Sequence, residues 1–125
     1  RALGILHDHE AVDGLIALIG SPDQQCAQAA AEALREITRA TFGSDTRRWA
    51  AWWAENRGRR RIEWLVASLR HAERDVRQST IEELARATNA TLGFEADAAP
   101  EEREAAVRQW EALLQQPRWQ RFDVA

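Results

Sequence analysis

Apolar residues recur along the chain at helical rather than strand spacing. Val12, Leu15, Ile16 and Ile19 stand at i, i+3, i+4 and i+7, the spacing of one buried helical stripe. Gly20-Ser21-Pro22-Asp23 interrupts that stripe and offers Ser and Asp side chains to cap a following helix. A second periodic stretch, about 23–40, is expected to bury Cys26, Ala30, Leu34 and Ile37. Its alanine-rich middle favours helix and lets a neighbour approach closely. Gly43 suits a left-handed residue after a helix end, and Asp45 suits the N-cap of a third helix from Thr46 to about Asn56. The same grammar predicts helices over 62–71, 74–90 and 100–115. No stretch alternates with strand period and no hairpin turn occurs, so the expected class is all-α.

The pattern repeats. Shifted by 50 positions, Leu15-Ile16-Ala17-Leu18-Ile19 falls on Leu65-Val66-Ala67-Ser68-Leu69. Cys26 then falls on Val76, Ala30 on Thr80, Leu34 on Leu84, and Thr41-Phe42-Gly43 on Thr91-Leu92-Gly93. An insertion of about eleven residues, containing Asp97 and Pro100, follows in the second copy; beyond it Trp49, Trp52 and Trp53 match Trp110, Leu113 and Leu114. Self-similarity at such a period marks stacked helical repeats. The expected organisation is residues 10–57 as a first repeat, 58–61 as a basic linker, 62–115 as a second repeat and 116–125 as a C-terminal cap. Residues 1–9 read as the end of a preceding repeat, with a turn at His7-Asp8-His9-Glu10. Because the chain opens on Arg1 and holds no Met, it is expected to be an excised or processed piece of a longer protein, and its localisation is not legible.

With those blocks in view, the sequence resembles the HEAT-repeat family, helical hairpins stacked into a superhelix. The resemblance rests on Ala11-Val12 to Ile19, on Ser21-Pro22-Asp23, and on the second-helix blocks Cys26 to Leu34 and Val76-Arg77 to Leu84. It covers roughly residues 2 to 114. The tryptophan-rich third helix looks like a bacterial variant of the two-helix pattern, and Arg77 matches a basic residue that the family often places early in the second helix, where the first copy has Ala27. The resemblance implies an α-solenoid of about two three-helix units plus part of a preceding one. It also implies a partner bound on the concave surface lined by the second helices.

On that surface lie Gln28, Glu32, Arg35 and Arg39 in the first copy, and Gln78, Glu82 and Arg86 in the second. Opposed to recognition stands an ordinary solvated helix face with weak i, i+4 ion pairs. The tryptophans read as filling between the third helix and its hairpin, since the second copy keeps only their apolar bulk. The insertion around Phe94 to Glu102 either flanks a binding surface or caps the third helix through Pro100. Pro117 is expected to stop the last helix, with Trp119 and Phe122 folding back over the open end.

Charge sharpens one feature. All 17 basic residues are Arg, against 20 acidic ones, for a net charge of −3; that balance disfavours bulk attraction to nucleic acid. Arg57, Arg59, Arg60 and Arg61 nevertheless form a local cluster, fit for an anion contact or for a solvated linker at a helix C-terminus. His7-Asp8-His9-Glu10 carries imidazoles and carboxylates without an evident further ligand, so no metal or other cofactor is expected. Cys26, the only cysteine, excludes an internal disulfide and reads as a buried hydrophobe rather than a nucleophile. No apolar run is long enough to span a membrane. The expected function is therefore a non-catalytic scaffold binding another protein or peptide, with self-association through exposed repeat ends a further possibility. Two alternatives stand beside it: polyanion binding by the arginine cluster, and an enzyme of the HEAT-like phycobilin lyase kind.

Overall fold

A computed structural model describes residues 2–124, with side chains from His9 onward. Helices are the regular structure of the described residues, and the backbone divides into two compact units, one reaching to Arg61 and the other spanning Ile62–Val124.

The first unit holds α1 (Ala2–Ile19), α2 (Gln24–Thr38) and α3 (Thr46–Asn56), with α1 packed on both α2 and α3. The turn expected at His7–Glu10 is absent: α1 runs through it unbroken. Nothing in those four residues forbids helix, since neither Gly nor Pro is among them. Asp23 caps α2, its carboxylate accepting from the Gln25 and Cys26 amides at 2.9 and 3.4 Å. Asp45 caps α3 by accepting from the Arg48 amide at 3.1 Å. Helix α2 does not end on Gly43; Arg39 turns left-handed at φ 66°, and Gly43 follows at φ 57° within the connecting loop. Val12, Leu34 and Trp49 are fully buried in this unit.

The second unit holds α4 (Arg61–Ser68), α5 (Arg74–Thr88) and α6 (Pro100–Gln115), followed by a single 3₁₀ turn at Pro117–Trp119. Helix α4 stops short of the expected end because Leu69, Arg70 and His71 bond back three residues, to Val66, Ala67 and Ser68, tightening its last turn. A continuous apolar core joins Ile62, Leu65, Leu69, Leu84, Val107 and Trp110, and includes Phe94 and Ala96 from the α5–α6 connection. The C-terminal tail returns to this core as expected, with Phe122 packed against it and Val124 and Asp123 as further anchors. Val124 is buried, and the buried Asp123 carboxylate accepts from the Ile62 amide at 2.7 Å, while Trp119 and Phe122 pair edge-to-face, half-buried.

Elements recur at the spacing read from the sequence. Helices α2 and α5 each contain 15 residues, begin 50 positions apart, and end on left-handed Arg39 and Asn89. Thr38 and Thr88 donate to the carbonyls of Leu34 and Leu84 at the same distance of 2.7 Å. The Trp49 indole donates to Gly43 and the Trp110 indole to Thr91, at 2.9 and 3.0 Å. Trp53 and Leu114 are buried to the same degree, and Trp52 and Leu113 are both half-buried. The indoles thus serve as packing, though Trp52 lies at the edge of the core, stacked on Trp53 and edge-on to Trp49.

Candidate binding groove on the second unit

Two residues of the anticipated second-helix face, Gln78 and Glu82, lie on the wall of a groove of about 380 Å³ in the second unit. Helix α5 provides this wall, with Ile81 and Ala85 beside them; the opposite wall is Thr91 and the 94–97 segment. Positions 78, 82 and 85 share one side of the helix because they stand at i, i+4 and i+7. The floor is apolar: Ile81, Phe94 and Ala96 are all buried. The rim is acidic, with Glu82, Glu95 and Asp97 exposed, and no basic side chain lines the groove. The insertion lines this groove, and Pro100 opens α6 as its first residue, behind Ala99 and without a side-chain cap.

What holds the insertion against α5 is Arg77, only 8% exposed. Its Nε and Nη2 donate to the Ala96 carbonyl at 3.2 and 2.9 Å, and its Nη1 donates to His71 and Ala72, each at 2.9 Å. Burial, and then the neighbouring Arg103 charge, lower its pKa from the ordinary arginine value. From the other side Arg74 forms a two-point ion pair with Asp97, at 2.8 and 3.0 Å, which pulls the Asp97 carboxyl below its usual range. A carbonyl clamp and an ion pair thus fix adjacent residues, Ala96 and Asp97, at the C-terminal end of the 94–97 wall. The sequence marked Arg77 through its family resemblance, but gave no sign that its donors would close on a loop nearly twenty residues away.

Between the end of α4 and the start of α6 lies a second cavity of about 310 Å³, lined by Arg70, His71, Arg77, Arg103 and Glu104 among others. Its charges are matched internally. Arg70 grips Glu104 at 2.9 and 2.8 Å and Glu111 at 2.8 Å, while Arg103 donates to the Ala98 carbonyl. The Arg70 hydrogen bonds hold the Glu104 carboxyl down at about 2.

In the first unit Gln28, Glu32 and Arg35 are exposed and Arg39 is half-buried. There the α2–α3 connection is short, with no counterpart of the 94–99 segment. In the second unit Arg86 is exposed on α5 and lies outside the groove lining. The arginine cluster does not act as one patch. Arg61 is buried, its Nε and Nη2 donating to the carbonyls of Ile37 and Glu36 at 2.8 and 3.2 Å, so it is withdrawn from any anion contact. Arg57 lies over the Trp53 ring and 3.8 Å from Asp13. Arg60 is half-buried, and Arg59 is exposed.

The reading of Cys26 as a core residue is corrected: its side chain is exposed, with the thiol 3.5 Å from an Asp23 oxygen. The side chains of His7 and Asp8 lie outside the described residues. His9 bonds the Arg59 carbonyl and packs on Trp53. Among the described residues no three His, Cys, Asp or Glu side chains gather as a metal site would require. Nor is any helix of the described residues long and apolar enough to cross a membrane. Compared with family models, curated proteins and solved structures, the chain matches none.

Proposed function

We propose that the chain is a non-catalytic, HEAT-like helical-repeat module that binds a segment of another protein along the outer faces of its second helices. The observation that carries this reading is the groove beside α5, where Gln78 and Glu82 stand over an apolar floor. A concave, largely apolar surface with a few placed polar groups is the common form of a binding site. The recurrence of helix lengths, left-handed ends and indole hydrogen bonds across 50 positions supports the stacked-repeat arrangement. In that arrangement second helices form one continuous surface.

Crosslinking mass spectrometry in cells expressing the protein tests this, comparing the wild type with Glu82→Arg and with Glu32→Arg. Crosslinks between one protein and residues 78–97, lost in Glu82→Arg at an unchanged melting temperature, are expected. Retention of the same crosslinks in both variants rules the α5 face out.

Polyanion binding is favoured by a narrower observation, the exposure of Arg59 beside the 60%-exposed Arg57 side chain. With Arg61 buried, such binding has about two phosphate contacts to offer. The log affinity for duplex DNA should then fall with log salt at a slope near −2, rather than near −4 for the full cluster. Absence of binding at low salt ends this reading.

A further inference from the structure

Resting on the peptide-binding reading, we infer the chemistry of the occupant: the groove takes a short extended segment of a partner in which apolar side chains alternate with basic ones. Three observations carry this. The groove is open along α5 from Gln78 to Ala85, a rise of about 10 Å at 1.5 Å per residue, which is the reach of about three extended residues. The side chains at its floor, Ile81, Phe94 and Ala96, are apolar, so apolar side chains are the ones that gain by entering. Its rim carries Glu82, Glu95 and Asp97 with no cation among the lining residues.

The three carboxylates differ in what they have left to give. Asp97 is already held by Arg74. Glu82 accepts from Gln78 through Oε2 at 2.8 Å, which leaves its other oxygen for a second donor. Glu95 is exposed on the opposite wall. An extended peptide with residue side chains alternating in direction places apolar groups on the floor while its basic groups reach Glu82 and Glu95. Arginine suits both, because its guanidinium brings a charged donor to the remaining Glu82 oxygen and a planar fork to the exposed Glu95 carboxylate. An acidic segment would meet the like charges of Glu82 and Glu95, and repulsion of that kind is how an interface rejects wrong partners.

Fluorescence polarisation of the intact chain with labelled Gly-Leu-Arg-Leu-Arg-Gly peptide tests the inference, with citrulline replacing both arginines as the neutral isostere. The arginine peptide should bind at least about tenfold more tightly, a margin of 1.4 kcal/mol, and lose that margin as salt is raised. The double variant Glu82→Gln with Glu95→Gln should weaken the arginine peptide by about tenfold, leave the citrulline peptide unchanged, and keep the wild-type melting temperature. Equal affinity for the two peptides overturns the charge assignment while leaving an α5 binding face in place. No binding of either peptide overturns the inference, whereas the α5-face reading is decided separately by the crosslinking of Glu82→Arg. Sedimentation closes the last route: a concentration-dependent dimer that the Gln variant abolishes would make the occupant a second copy of the chain and overturn the assignment to a partner.

Discussion

The two units carry the same helical skeleton and cover it differently. In the second, the 94–97 segment lies on α5, and Val76, Arg77 and Ile81 are buried; at the corresponding first-unit positions Cys26 is exposed while Ala27 and Ala31 are only half-buried. The first-helix stripe follows suit. Leu65 and Val66 are buried, whereas Leu15 and Ile16 are half-buried, and the neighbouring Leu18 is 46% exposed. Helix spacing and caps therefore set the skeleton, and equivalent positions on it leave water to different extents. The α5–α6 connection decides where a groove exists, since a wall requires a segment to stand opposite the helix.

The largest effects should come from what the units share. Trp49 and Trp110 are each fully buried with an indole hydrogen bond. Truncating either to Ala should cost about 3–5 kcal/mol in urea unfolding. Trp52→Ala, at a half-buried position, should cost well under half of that. Clearly unequal losses at Trp49 and Trp110 would break the equivalence drawn between them, and equal losses at Trp49 and Trp52 would contradict the placement of Trp52 at the edge of the core.

A smaller effect isolates the covering segment. Arg77→Ala strands the carbonyls of Ala96, His71 and Ala72, for about 2–3 kcal/mol of lost stability. Hydrogen exchange should then accelerate across 94–98 before it does in α5. Ala27→Arg in the first unit has no such loop to hold and should change stability by less than about 0.5 kcal/mol. If both substitutions act alike, Arg77 does not fasten the wall.

How much of this was legible follows from what each residue answers to. Asp23 and Asp45 cap helices through neighbours two and three residues away, so local grammar finds them. The shared tryptophan and leucine positions answer to helical period, and they too were readable. Cys26 was not, because its periodicity matches that of the buried Val76 while its own side chain is exposed, and burial depends on neighbours that helical period does not specify. Arg61 was equally opaque: inside a run of arginines it looks solvated, yet its donors close on carbonyls 24 and 25 residues earlier. Gln78 and Glu82 were found as a face, but the groove needed Phe94 and Ala96 to come from across the loop.

The thiol gives the most direct comparison of covering. In the native protein Cys26 should react with a disulfide reagent almost as fast as in the unfolded chain, since the side chain is exposed. Moving the thiol, with Cys26→Ser and Val76→Cys, should slow the native reaction by about 100-fold or more, because a buried site reacts only through opening. Adding Arg77→Ala to the moved thiol should recover part of the rate if the loop is the cover.

The smallest expected effect is acid sensitivity, and its sign follows from Glu104. Hydrogen bonds from Arg70 hold its carboxyl at about 2 in the folded chain, against an ordinary value of 4.5. A depressed folded-state value means that the pair's contribution is fully present above about 4.5 and is lost as pH falls toward about 2. Asp97, lowered by Arg74, shifts in the same direction. Both carboxylates are substantially exposed, so solvent screening keeps the effect small. The measurement is the urea midpoint from pH 5 downward for the wild type and for Glu104→Gln. The gap between them should narrow through that window, and a gap that stays constant would show that the Arg70 contact contributes nothing through its charge.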